Sequence, residues 1–451
     1  MQKIGDLMKD LRIAVLGMGY VGLTSAVAFA KHGFKSVCTT TTPSKAEKLN
    51  KGIPPFYEPE LGDLVKEMVG KGLLSGSTDN VDAVRFSNVT FICVGTPSLS
   101  DGSVDLSAVK IVAKDIGNAL AKKGDYHVVV VKSTVVPGTT ENLVIPIVEK
   151  VSGKRAGNGF GVCMNPEFLR QGEAVHDSLN PDRIVIGEYD KSSGNVLEDI
   201  YKEYDCPKMR FSIKAAELIK YAANSLLATK ITFANEFSRI CEKFNIDVYE
   251  VMKGVGMDFR INPLFLNAGC GFGGSCFPKD VNAIVALAKN IGVETPLLDS
   301  VLYTNELQPM HLVDLIKNTA GSLEGKVVAF LGLSFKPDTG DTRETRALPV
   351  IKKLYEFGVK VRAYDPKAID NFKRLTDLPI EYFEKWEEAL KGADLAVVQS
   401  DWEEIRAITA DDFKRLLKNP IVVDGRRTYN PEVLIANGIK YYGIGWKNQL
   451  V

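Results

Sequence analysis

The sequence predicts an α/β protein built from two doubly wound domains joined by a central all-helical domain. Short apolar runs alternate with helix-length segments across roughly the first 190 residues, the pattern of a parallel sheet crossed by helices. The alternation stops near Lys208 and returns after Pro309. Between them, Lys214 to Phe244 carries one long helical pattern with neither glycine nor proline.

Taken in order, strands are expected at Arg12–Leu16, Ser36–Thr40, Asn88–Val94, His127–Lys132, Gly161–Met164 and Arg183–Gly187. Asp280 to Ile291 reads as a second helix of the middle section. Later strands are expected at Lys326–Gly332, Val359–Tyr364, Leu395–Gln399 and Ile421–Val423. The expected domains are therefore 1–207, 208–308 and 309–451.

Composition narrows the function classes. Apolar residues make up 45% and charged residues 25% of 451, an ordinary globular balance that needs neither disulfides nor metals to build a core. Lys plus Arg and Asp plus Glu are both 56, so nothing favours a nucleic acid or another polyanion. The seven cysteines (Cys38, Cys93, Cys163, Cys206, Cys241, Cys270, Cys276) include no CxxC pair, and only four histidines accompany them. That set argues against a zinc site and for a reduced, cytoplasmic compartment.

Ile13 to Ala30 is an uncharged, mostly apolar stretch behind Lys3, Lys9 and Arg12, which resembles a signal peptide or a short membrane span. It also contains Gly17-x-Gly19-x-x-Gly22 between a strand pattern and a helical one. Three glycines weaken a membrane helix but suit a nucleotide-binding turn, so a membrane location is not expected. The first glycine permits the tight turn, the second lets backbone approach a pyrophosphate, and the third lets the helix pack closely. The helix N-terminus then offers amides and a positive dipole end to the phosphates. This is the opening of a Rossmann-like domain. An acid is expected about 20 residues later to hold a ribose hydroxyl, yet Thr39 to Thr42 stand there. NAD is the expected cofactor, with NADP admitted because Thr40 replaces the usual acid and Lys45 lies close by.

A second motif is Gly271-Phe272-Gly273-Gly274-Ser275-Cys276-Phe277-Pro278-Lys279-Asp280. Pro278 suits a first helical turn, which puts Cys276 just before a helix start, where dipole and free amides favour a thiolate. Asp280 follows one turn later. In Glu217-Leu218-Ile219-Lys220-Tyr221-Ala222-Ala223-Asn224, Lys220 and Asn224 are spaced to share a helix face and could donate to a developing oxyanion.

The segments GMGYVG (17–22), FYEPEL (56–61), VGTP (94–97), KSTVVPGT (132–139), NPEFLRQG (165–172), PDRIVIG (181–187), ELIKYAAN (217–224), FGGSCFPKD (272–280), GLSFKPDTGDTRET (332–345) and DGR (424–426) occur in order along nearly the whole chain. On these segments the chain resembles the UDP-glucose/GDP-mannose dehydrogenase family. The resemblance implies two successive hydride transfers to NAD at one alcohol carbon of UDP-glucose, giving UDP-glucuronate through a Cys276 thiohemiacetal and thioester. GDP-mannose or a UDP-N-acetylhexosamine is the alternative substrate, and a catalytically silent nucleotide-sugar sensor the alternative from another class.

The resemblance also distributes roles. Cys276 is the nucleophile, Lys220 and Asn224 stabilise the oxyanion, Asp280 orients a water or acts as base, Thr134 holds that water and Glu167 assists hydrolysis. The sugar nucleotide is expected to meet Glu167, Phe168, Leu169, Arg170, Lys220, Asn224, Arg260, Phe265, Leu266, Phe272, Gly273, Lys336 and Arg426. The cofactor is expected to meet Gly17, Gly19, Tyr20, Val21, Gly22, Thr40, Lys45, Gly95, Thr96, Thr134 and Arg343. The middle domain implies a homodimer or higher homo-oligomer in which Arg260 serves the neighbouring subunit, and the last domain binds the UDP moiety. Gln171 departs from the pattern, since the family more often has an acid there.

Overall fold

The computed structural model describes residues 11–447. The chain divides into two compact units, one ending at Ala223 and the other starting at Asn224. The first holds an eight-stranded sheet: β1 (Arg12–Leu16), β2 (Lys35–Thr39), β3 (Leu74–Ser77), β4 (Val89–Ile92), β5 (Val128–Val131), β6 (Gly161–Met164), β7 (Ile184–Glu188) and β8 (Lys208–Ser212). Their spatial order is β3-β2-β1-β4-β5-β6-β7-β8. Strand order reverses between β1 and β4, and their carboxyl ends therefore open the crevice where such sheets take ligands. Every neighbouring pair is parallel except β6 and β7, where Met164 lies opposite Gly187 in an antiparallel register.

The sheet is covered on both faces, and the sequence shows why. β5 is four valines, all buried, with Val128 and Val130 in one apolar cluster and Val129 and Val131 in another. Successive side chains of a strand point to opposite faces, so a strand buried on both must be apolar throughout.

The second unit holds a six-stranded, all-parallel sheet: β9 (Val327–Leu331), β10 (Lys360–Tyr364), β11 (Glu381–Phe383), β12 (Leu395–Val398), β13 (Ile421–Asp424) and β14 (Lys440–Gly443). Its order is β11-β10-β9-β12-β13-β14. The helices Val248–Gly256, Phe277–Asn290 and Pro296–Ala320 belong to this unit, and the unit boundary falls inside the long helix Ile213–Lys243.

Several expectations need correction. Lys208–Ser212 is not the start of the helical section but the eighth strand of the first sheet, paired in parallel with β7. Pro309 does not end the helical section, because it lies buried within the helix Pro296–Ala320. An interior proline costs about 3 kcal/mol or more, here offset by the burial of Val301, Leu312, Leu315 and Ile316 on the same helix. The strands β3, β8, β11 and β14 add to those expected, since LSGS, KMRFS, EYF and KYYG lack a continuous apolar run. The stretch Ile13 to Ala30 forms β1, the glycine turn and most of the helix Tyr20–Lys31. Among the described residues no helix is long and apolar enough to cross a membrane.

The two sheets treat the end of their second-position strand differently. In the first, Thr40 follows β2. In the second, Asp365 follows β10 and is buried, accepting hydrogen bonds from the amides of Leu333 (2.7 Å), Ser334 (3.0 Å), Lys367 (2.9 Å) and Ala368 (2.7 Å) and from the Ser334 hydroxyl (3.1 Å). A carboxylate so engaged serves as a clamp on the turn after β9.

Candidate active site

In the first unit the turn between β1 and the helix Tyr20–Lys31 is set by steric exclusion. Gly17 has a φ of +117°, and a Cβ there would stand 2.5 Å from the Cys93 carbonyl oxygen. A Cβ on Gly22 would stand 1.8 Å from the Gly17 carbonyl oxygen. Gly19 is the opposite case: it is exposed, caps the helix and has nothing within 4 Å of a Cβ position. Rigid walls at Gly17 and Gly22 with open space at Gly19 fit a pyrophosphate at a helix N-terminus. Tyr20 stacks on Phe56 at 4.3 Å and Val21 packs against the core, so these two support the turn.

Other cofactor candidates line the same edge of this sheet. Thr40 lies just past β2, its amide bonded to the Ser77 carbonyl and its hydroxyl accepting from the Thr42 amide. Lys45 is exposed on the first turn of the helix Pro43–Asn50. Gly95 is exposed after β4, and the Thr96 hydroxyl donates to the Thr134 carbonyl at 2.8 Å, tying the loops after β4 and β5 together. Arg343 belongs to the second unit, where it forms a two-pronged pair with Asp341 at 2.9 and 2.5 Å.

After β6, Glu167 is buried and ion-paired to Lys220 of the long helix at 3.1 Å, with both side chains at most 7% exposed. Its other oxygen accepts from the Leu169 amide at 2.6 Å. Burial pushes this carboxyl up, but Lys220, the Leu169 amide and Lys132 outweigh it and hold the group below its ordinary value. Phe168 lies under the Lys220 ammonium at 5.6 Å and the Arg183 guanidinium at 3.9 Å. Arg170 turns to Asp177 and Glu173.

In the second unit, Cys276 caps the helix Phe277–Asn290 and, alone of the seven cysteines, is exposed. One turn on, Asp280 is buried, with one oxygen accepting from the Asn224 amide at 2.6 Å and the other paired to Lys279. The loop before the cysteine is gripped from several sides. A Cβ on Gly273 would stand 2.3 Å from the Glu344 carbonyl oxygen, and the Gly274 amide donates to the Arg343 carbonyl at 3.0 Å. The Asn305 side chain closes on the Phe272 peptide from both ends, accepting from its N–H at 2.7 Å and donating to its C=O at 3.0 Å.

Phe265 takes a positive φ and, like Phe272, meets Phe277 edge-on at 6.1 Å, while Leu266 and Phe272 are buried. Lys336 is half-buried on the loop after β9. Arg426 follows the buried Asp424, which accepts its amide at 3.0 Å. Arg260 is exposed and paired with Asp258.

Sequence reasoning passed over residues that hold these groups in place. Glu217, buried within ELIKYAAN, accepts from the amides of Gly138 and Thr140 at 2.5 and 2.8 Å, fastening the KSTVVPGT loop to the long helix. Glu58, within FYEPEL, accepts from the amides of Gly172 and Ala174 and so supports the turn after NPEFLRQG. Their sequence signal was no more than a place within segments that carry other charged residues. Lys132 opens KSTVVPGT directly after four valines, whereas Asn305 carried no such signal.

A glycine turn ahead of a helix on a doubly wound sheet, with a cysteine at a second helix start, defines a dinucleotide-dependent dehydrogenase. The comparisons are specific. Residues 11–205, 214–307 and 329–431 match the NAD binding domain, the central domain and the UDP binding domain of the UDP-glucose/GDP-mannose dehydrogenase family. The chain is 42% identical over 434 residues to the UDP-glucose 6-dehydrogenase TuaD of Bacillus subtilis, covering 96% of this chain and 93% of that one. It is 38% identical to a GDP-mannose 6-dehydrogenase of Pseudomonas syringae, covering 95% and 97% of the two chains. A solved UDP-glucose dehydrogenase from Pyrobaculum islandicum superposes with a TM-score of 0.90 at 38% identity, covering 97% of this chain and 99% of that one. The chain belongs to the UDP-glucose/GDP-mannose dehydrogenase family.

The turn itself is testable. Replacing Gly22 by Ala forces the Gly17 carbonyl to move, so NAD affinity measured by calorimetry should fall by at least about tenfold, the equivalent of 1.4 kcal/mol, while far-ultraviolet circular dichroism stays near that of the parent.

Proposed function

We propose that this dehydrogenase oxidises the primary alcohol of UDP-glucose to the acid, giving UDP-glucuronate in two oxidations with the second passing through Cys276. The observation that carries the reading is Cys276 itself, exposed at a helix start and fixed by a loop that tolerates no Cβ at Gly273. NAD, held by Gly17, Gly19 and Gly22 with Thr40 toward the ribose, supplies the hydride acceptor for each oxidation.

The chain's own residues then divide the work. Lys220 and Asn224 donate to the substrate oxygen as it takes on negative charge. Asp280, whose two oxygens are already taken by Asn224 and Lys279, holds the Asn224 amide in position. The first oxidation takes hydride from the alcohol carbon and releases the hydroxyl proton to solvent, leaving an aldehyde; the Cys276 thiolate adds to its carbon, forming a C–S bond while the carbonyl oxygen takes a proton from solvent. Hydride then leaves that carbon and the hydroxyl proton leaves for solvent, giving a thioester. Water held by Thr134 attacks the thioester carbonyl, Glu167 takes its proton, and the C–S bond breaks with return of the thiolate. The glycine-bordered loop Phe272–Gly274, with Lys336 and Arg426, is the proposed binding surface for the nucleotide end.

A homodimer is proposed from the apolar residues left open in the second unit. Met257 and Phe259 are 80% and 91% exposed, and Leu226, Phe244, Leu264 and Tyr303 are exposed as well. Arg260 stands beside Phe259, in position to serve a second copy of the chain.

Cys276→Ser should abolish steady uronate formation, because a serine adduct is a poorer hydride source and its ester a slower acyl group. Near-parental turnover of UDP-glucose, followed by cofactor absorbance and by product chromatography, defeats the nucleophile role. Screening GDP-mannose and UDP-N-acetylhexosamines in the same assay decides the sugar.

The ribose edge yields a second expectation. Thr40 offers a hydroxyl but no repulsion to a 2′-phosphate, so the preference for NAD over NADP should be modest, and Thr40→Asp should sharpen it. An acid there contributes a charge-assisted bond of about 1.5–3 kcal/mol. An unchanged ratio of kcat/KM for the two cofactors is the contrary result.

Mixed dimers of Arg260→Ala and Cys276→Ala chains, each inactive alone, should regain part of the activity. Hybrids that form and stay inactive speak against a shared site.

A further inference from the structure

Lys132 is a buried lysine to which no step above gives a part. It follows β5 directly, is 7% exposed, and its ammonium donates to the Asn165 side-chain oxygen at 2.8 Å. That oxygen also accepts the Tyr201 hydroxyl at 2.6 Å, while the Asn165 amide group donates to the Val185 carbonyl at 2.9 Å. Asn165 is thus an anchor bonded through both its oxygen and its amide group, two residues before Glu167, and it fixes where the Lys132 charge sits. A neutral amide does not balance a buried ammonium, which requires an anion within reach.

Four groups face this cluster from the surrounding elements. Cys93, after β4, is neutral because burial pushes its thiol up to about 12. Tyr201 places its ring 6.0 Å from the ammonium and is neutral as well, burial pushing its phenol far up. Lys220 comes from the long helix and Glu167 from the loop after β6. Burial lowers the Lys132 ammonium, the anionic Glu167 opposes that, and Lys220 adds to it. Glu167 is therefore one carboxylate shared by two ammonium groups, only one of which is at hydrogen-bonding distance.

We propose that Lys132 is a positioning residue, the resident counter-charge that keeps Glu167 anionic and in place when Lys220 turns its ammonium to the substrate oxygen. This rests on the proposed dehydrogenase mechanism, in which Lys220 serves the oxyanion while Glu167 receives a proton from water. One ammonium has donors enough for both, but its single positive charge cannot balance two anions at once. With Lys132 held at Asn165, two residues before Glu167, Lys220 is released without leaving a bare buried carboxylate, and the pair of cations leaves a net positive charge to face the oxyanion.

The test is the pH profile of uronate formation by Lys132→Met, which keeps the volume and removes the charge. Loss of a neighbouring cation raises the carboxyl pKa. Because the base form is the ionised one, the acid limb of kcat should move to higher pH by about one unit or more. Activity should recover toward that of the parent at alkaline pH, KM for the nucleotide sugar should stay nearly constant, and Lys132→Arg should leave the limb in place. An acid limb that does not move, whether or not activity falls, overturns the proposal. Should Lys132→Met be too unstable to assay, Lys132→Gln carries the same measurement, and failure of both to fold assigns Lys132 to the scaffold and overturns it too. A wild-type protein that makes no uronate from any nucleotide sugar with NAD defeats the functional reading instead, so the two failures are distinguishable.

Discussion

The first unit is organised around a buried carboxylate that must not be left without a cation. Glu167 and Lys220 are both almost fully enclosed, and removing one partner of such a pair typically costs about 3–5 kcal/mol. The pair fastens the loop after β6 to the long helix. Glu217, three residues before Lys220, fastens the same helix to the loop after β5. Two buried carboxylates, one met by an ammonium and the other by backbone amides, thus hold the helix against the carboxyl edge of the sheet. Burial raises the Glu217 carboxyl, and its amide donors only partly offset that. Lys220 serves Glu167 in the opposite sense, making ionisation easier.

In the second unit amides rather than ions do the corresponding work. The loop leading to Cys276 has few side chains of its own to pack, so neighbouring groups grip its backbone. Asn305 bonds both ends of the Phe272 peptide, Asn235 accepts from the Gly269 amide at 2.8 Å, and Gln308 donates to the Gly269 carbonyl at 2.9 Å. Asn305 and Gln308 lie one turn apart on the helix Pro296–Ala320. Neutral clamps hold geometry without adding charge near an exposed sulfur, and each is buried enough that losing its partner leaves an unsatisfied group costing about 1–3 kcal/mol.

The paired sheets show one topological position put to two uses. Asp365 after β10 has five donors and holds the turn after β9, whereas the Thr40 side chain after β2 bonds locally, to the Thr42 amide. An acid committed to its own backbone is not available to a ribose.

The sequence by itself determined the architecture, two doubly wound sheets with a helical section between them. All-apolar strands such as Val128–Val131, a glycine turn and a helix free of glycine and proline are local signals, readable because burial on two faces or a forbidden Cβ leaves little choice of residue. The tertiary structure decided what local pattern does not encode. Short polar strands such as Leu74–Ser77 and Lys208–Ser212 exist only because a neighbouring strand supplies hydrogen bonds, and Pro309 stays helical because its surroundings bury it. Which cation meets Glu167, which amide meets Asp280 and what closes on Phe272 depend on residues 53, 56 and 33 positions away along the chain. Charge and hydrogen-bond pairing are set by distance in space, and distances across the fold are fixed only once the chain has packed.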